Sequence, residues 1–152
     1  MNASGWPAYA GIMLLAGIGI PLLAALNAGL GTRIGSAPAA SVIALTVAMA
    51  TALVTTLATG MIPRGVAWGG IAPHFYLGGL FMAFYLLSIT FIAPKFGIGN
   101  AVFFVLLGQI ASAAAIDHFG LFGTDKASIG GLRMLGIALM AIGVFLARKP
   151  VG

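Results

Sequence analysis

NAVFFVLLGQIASAAAIDHFGLFG, residues 100–123, decides the fold. From Asn100 to Ile116 it holds no charged residue. An apolar run of about twenty residues is what a helix needs to cross a hydrocarbon core of about 30 Å. One polar pair interrupts the run. Gln109 and Ser112 stand three residues apart, so they share a helix face. No other apolar stretch carries so long an uncharged polar side chain near its middle. Lipid offers an amide no hydrogen-bond partner, so Gln109 must find one elsewhere. It is either interhelical glue or part of the wall of a transport pathway. Asp117 and His118 follow, and FGLFG then breaks the helix.

The composition agrees. Of 152 residues, 61% are hydrophobic and 6% charged, against about 25% charged in a soluble domain. Such a chain cannot cover a water-facing surface, and it is expected to form a single transmembrane domain over 1–152. The net charge is +5, but the basic residues sit singly between apolar runs. Lipid headgroups are then the expected anionic partner, not nucleic acid. There is no cysteine, hence no disulfide or thiolate metal site. No Walker loop and no His-Glu zinc pair occurs, so no metal or cofactor is implied. The two carboxylates, Asp117 and Asp125, lie outside the middle of any apolar run, which argues against an enzyme.

Working outward, five spans are expected at about 9–30, 37–59, 75–92, 98–119 and 129–147. The fold class is an all-α membrane protein. Gly17, Gly19 and Pro21 break the first span, and Pro21 invites a kink, either a plain one or a bend that opens a cavity for a substrate. Asn27 follows near its end. The second span carries a small-residue ridge, Ala40, Ala44, Ala48 and Ala52, that lets a helix approach closely. Its Thr51, Thr55 and Thr59 stripe is expected to bond back to the helix's own carbonyls. The segment 61–74 is a loop with Trp68 at the interface and His74 as an anchor beside an aromatic pair. Phe81, Phe84 and Tyr85 then share one face of the third span, as packing or as the wall of a cavity. APKFG at 93–97 turns the chain. Asp117 stands at a helix C-terminus, where the dipole disfavours an anion; it is either a solvated cap residue at the headgroup level or a buried site, and His118 or a basic residue of a neighbouring loop could compensate it. Arg133, one turn inside the fifth span, can snorkel to the interface.

Orientation follows from Lys and Arg in short loops. Arg64, Lys126 and Arg133 fall on the amino-terminal side; Arg33, Lys95, Arg148 and Lys149 fall on the other. Three against four barely biases insertion. Two inverted copies would supply the symmetry that larger transporters build into one chain. The expected assembly is an antiparallel (inverted) dimer of five-helix subunits.

Four stretches are similar to a known family: LNAGLGTRIGSAPAAS at 26–41, LGGLFMAFYLLSITFIAPKFG at 77–97, GQIASAAAIDHFGLFG at 108–123 and RMLGIALMAIGVFLARK at 133–149. On these the chain resembles the YdcZ-type family of small membrane proteins within the drug/metabolite transporter superfamily. The match is strongest at GQ…S…DHFG. The resemblance implies a five-span subunit working as an antiparallel homodimer or with a paralogous subunit. It also implies export of a small metabolite across a bacterial inner membrane. Two positions depart from the family pattern. Leu23 replaces a frequent glutamine four residues before Asn27, and Met82 replaces a frequent glycine.

The leading function is a secondary transporter working by alternating access near the midplane. Asn27, Gln109 and Ser112 are the expected polar contacts, Phe81, Phe84 and Tyr85 the aromatic wall, and Pro21 the helix break. With no mid-span carboxylate, a neutral or anionic substrate, aromatic or carboxylate, fits best. The alternatives are an exporter of hydrophobic cations and a non-transporting structural subunit. Balanced charge makes a direct prediction: cysteine tags at either terminus should label from both sides of intact cells. Labelling of each terminus from one side only would rule out dual insertion.

Overall fold

The computed structural model describes residues 6–66 and 68–147. The Trp68 side chain, expected at the interface, and Arg148 and Lys149, counted above for orientation, lie outside the described residues. All regular structure described is helical: α1 (Trp6–Ile34), α2 (Ala37–Thr59), α3 (Gly78–Phe96), α4 (Ile98–Phe119) and α5 (Gly131–Ala147), with short 3₁₀ turns between. Among the described residues, four segments are long and apolar enough to cross a bilayer: Trp6–Ile34, Ala37–Thr59, Pro73–Phe96 and Ile98–Phe119. α5 has 17 residues. At about 1.5 Å per residue it is roughly 25 Å long, at the lower limit for a crossing.

The second and fourth helices run over the expected 37–59 and 98–119; α2 is capped at both ends, and α4 is closed at its C-terminal end by Gly120. Ser36 Oγ accepts the Ala39 N–H at 3.2 Å, Pro38 takes the first turn, and Gly60 ends α2 at φ 66°. The other bounds differ from expectation. α1 runs past 9–30 at both ends, to Trp6 and Ile34. α5 begins at Gly131, not 129. The expected third span, 75–92, shifts along the chain: Pro73–Leu77 forms a 3₁₀ turn, and α3 continues through Pro94 to Phe96. Pro94 lies in the last turn, so it forfeits only the bond its N–H would make to Thr90. The turn expected over APKFG is therefore made at Gly97 alone, whose φ of 88° suits glycine.

The chain divides into two compact units, Met1–Lys95 and Phe96–Gly152. In the first, three helices meet on small side chains. α1 buries Ala24, Asn27, Ala28 and Gly31; α2 buries Ala40 and Ser41; α3 buries Leu86, Ile89, Thr90 and Ala93. Gly31 marks the closest approach. A Cβ there would stand 3.1 Å from Thr90 Cγ2 and 3.4 Å from Ala37 Cα. The alanine ridge of α2 is used only at its start: Ala40 is buried, Ala44 half-buried, Ala48 and Ala52 exposed. The threonine stripe bonds as expected, with Thr51, Thr55 and Thr59 donating to Val47, Thr51 and Thr55 carbonyls at 2.8 Å.

In the second unit the α4–α5 connection folds back over the end of α4. Gly120, at φ 63°, donates to the Ile116 carbonyl, and the Ala127 N–H bonds the Asp117 carbonyl at 2.8 Å. The Ile129 N–H donates to His118 Nδ1 at 3.3 Å. Arg133 pairs with Asp117 at 2.6 Å. The carboxylate that the helix dipole disfavours thus takes its compensation from the start of α5. Both side chains are about two-fifths exposed, so the pair holds the connection in place more than it stabilises the fold. The half-buried stripe of α5 is Ile137, Ala141 and Val144, at helical spacing.

Packing at Gly31 makes a prediction for thermal unfolding in detergent. Gly31→Val should destabilise the protein by about 1–3 kcal/mol through overpacking. Gly136→Ala, where an added Cβ meets nothing within 4 Å, should hold stability or raise it by up to about 1 kcal/mol.

Candidate functional site

The polar side chains of the spans fall into two classes, those with a partner and those without. Among the partnered ones, three form a knot between α1, α2 and α3. Asn27 Nδ2 donates to Thr90 Oγ1. Thr90 Oγ1 donates to the Leu86 carbonyl at 2.6 Å. Ser41 Oγ donates to the Ala37 carbonyl at 3.0 Å and lies 3.4 Å from Thr90 Oγ1 and 3.5 Å from the Leu86 carbonyl. Asn27, Ser41 and Thr90 are 4%, 1% and 2% exposed, so the knot is dry. Asn27, expected as a pathway contact, has its amide committed to Thr90 in this conformation.

Sequence reasoning singled out neither Ser41 nor Thr90. A lone hydroxyl in a span most often bonds its own helix, as the threonines of α2 do. The usable signal was Asn27 itself. A buried amide needs a hydroxyl or carbonyl on a facing helix, and Thr90 and Ser41 are hydroxyls flanked by small or apolar residues.

The unpartnered class holds most of the expected pathway residues. Gln109 and Ser112 are exposed on one face of α4, and neither has a hydrogen-bond partner among the described residues. Gln109 lies close to the middle of Ile98–Phe119. In the first unit, Phe81 and Phe84 are 69% and 70% exposed, one turn apart. Tyr85 beside them is half-buried, and its Oη is shielded and makes no hydrogen bond. Of the six expected pathway residues, Asn27, Phe81, Phe84 and Tyr85 belong to the first unit, and Gln109 and Ser112 to the second. Pro21 sits inside α1, half-buried, with helix on both sides.

The remaining polar groups are anchors. His74 stacks on Phe75 at 4.3 Å between ring centres. Lys95 Nζ sits 3.7 Å over the Phe91 ring, a cation–π contact at the end of α3. Among the described residues no cluster of three or more His, Asp or Glu could hold a metal. The mid-span groups are amide, hydroxyl and phenol. They can exchange hydrogen bonds with a neutral or anionic solute, and none carries a charge.

Comparison with known proteins gives one finding. The model of the DMT_YdcZ family, described as "Putative inner membrane exporter, YdcZ", matches residues 8–146. No curated protein matches the chain, and no solved structure does.

Tyr85 yields a prediction. An unsatisfied buried hydroxyl costs about 1–3 kcal/mol. Tyr85→Phe removes it, so thermal stability in detergent should hold or rise. A clear drop would mean that the hydroxyl has a partner in the intact assembly.

Proposed function

As the chain belongs to the DMT_YdcZ family of inner-membrane exporters, we propose that it is one subunit of a secondary transporter. Two inverted copies, or one copy with a paralogous subunit, move a small organic metabolite by alternating access. In this reading α5 is a fifth crossing, and the termini lie on opposite sides. The observation that carries the reading is Gln109: an amide at the middle of a membrane-length helix with no partner among the described residues. In a bilayer that amide must face another protein surface, water or a solute.

A neutral or anionic substrate, aromatic or carboxylate, fits the groups at hand. The Gln109 amide and the Ser112 hydroxyl donate hydrogen bonds, and Phe81, Phe84 and Tyr85 present ring faces. An exporter of hydrophobic cations would need a carboxylate within the membrane. Asp117, the one carboxylate on a helix, stands at the end of α4 and is held by Arg133. That pairing disfavours the cation reading.

Gln109→Leu separates a pathway residue from packing glue. An interhelical hydrogen bond in a membrane averages about 0.6 kcal/mol, so losing one leaves the assembly intact. A polar solute facing a lost partner costs about 1–3 kcal/mol, roughly a 5- to 150-fold fall in affinity. The variant should express and assemble normally, with uptake of radiolabelled aromatic carboxylates such as benzoate strongly weakened in everted vesicles. Wild-type uptake, or dissociation into monomers, would contradict the pathway assignment.

A further inference from the structure

The burial of the first unit is confined to one end of its three helices. In α1, residues 6–19 are exposed on every face, and the packed segment begins at Ile20 and Pro21. In α2, packing is limited to the first turns, and from Thr46 to Thr59 only Thr56 is not exposed. In α3, the buried positions lie from Leu86 to Ala93, while Gly78 to Met82 are exposed. α1 and α2 run antiparallel through the turn at Gly35 and Ser36. Their packed parts therefore lie next to that turn, and their exposed parts at the far end.

Two features of α1 fall on the boundary. Pro21 has no N–H, so the Gly17 carbonyl lacks its usual donor at the point where α1 leaves the packed region. Gly17 and Gly19 lie just before it, and a Cβ on either would meet nothing within 4 Å. Packing among the described residues does not account for these glycines, although each weakens the helix. Gly31 is the contrast: there a Cβ would strike Thr90 and Ala37. Below the boundary, the Asn27–Thr90–Ser41 knot ties the three helices together, each of the three residues at least nine-tenths buried.

We propose that the first unit is a hinged clamp: the Asn27–Ser41–Thr90 knot fixes α1, α2 and α3 at one membrane level, and α1 bends at Gly17–Pro21 so that its first turns swing as an arm. Thr90 is the central positioning residue. Its hydroxyl accepts from Asn27, donates to its own helix and lies beside Ser41. An arm anchored at one level and free at the other is what a subunit needs to open to one side of a membrane at a time. That use rests on the exporter reading. The hinge does not, and its test needs no substrate.

The test measures distances between paired spin labels in lipid nanodiscs. Labelled protein is diluted with unlabelled protein, so that each signal comes from one chain. Labels at Leu26 and Ile43 span the clamp, and labels at Ala10 and Ala58 span the free ends; all four positions are exposed. The clamp pair should give a narrow distribution, and the arm pair a broad or two-peaked one. Replacing Gly17, Gly19 and Pro21 together by alanine should narrow the arm pair and leave the clamp pair unchanged. Thr90→Val should broaden the clamp pair toward the width of the arm pair, and Thr90→Ser, which keeps the hydroxyl, should not. The proposal is overturned if the wild-type arm pair is as narrow as the clamp pair, or if Thr90→Val leaves the clamp pair narrow. Should Thr90→Val fail to fold, the wild-type comparison and the alanine triple variant decide the matter alone.

Discussion

A polar group inside a bilayer has no solvent to fall back on, and the rest of this structure depends on that constraint. Helices satisfy the backbone. The threonines of α2 satisfy themselves by bonding one turn back. Asn27 instead reaches across to Thr90. That reach brings α1 onto α3, and Ser41 of α2 closes the knot. Close approach is possible because Gly31 and Ala40 present almost no side chain at the contact. One unsatisfied amide thus selects both the partner helix and the small residues beside it.

The same constraint gives meaning to the groups left open. Gln109 has what Asn27 has, an amide on a membrane helix, but no neighbour among the described residues answers it. Tyr85 Oη is shielded and unpaired. An exporter must keep some polar groups unspent, since a site already satisfied by its own protein has nothing to offer a solute. On the proposed reading, the spent knot holds the helices and the unspent remainder serves the pathway.

Much of the fold was legible because its signals are local. Ser36 and Pro38 start α2, Gly60 stops it, and Gly120 stops α4; these residues act within a turn of where they stand. Pro94 misled for the opposite reason. Its effect depends on how much helix follows, and with only Lys95 and Phe96 after it the helix did not need to end there. The site was less legible. Periodicity placed Gln109 with Ser112 and Phe81 with Phe84 and Tyr85, because spacing alone fixes a shared face. It could not place Asn27 with Thr90, since 63 residues separate them and the pairing depends on how helices meet. The compensation of Asp117 was expected from His118 or a neighbouring loop; Arg133, expected to snorkel, provides it from the start of α5.

The central claim, that Gln109 faces a solute pathway, has a direct test. The chain holds no cysteine, so a single introduced thiol is its only one. Gln109→Cys and Leu139→Cys each place that thiol near the middle of a helix, in α4 and α5. A membrane-impermeant methanethiosulfonate reagent, added to vesicles, reacts only where water reaches. The account predicts modification of Gln109→Cys and none of Leu139→Cys. A Gln109→Cys variant as unreactive as Leu139→Cys would contradict it.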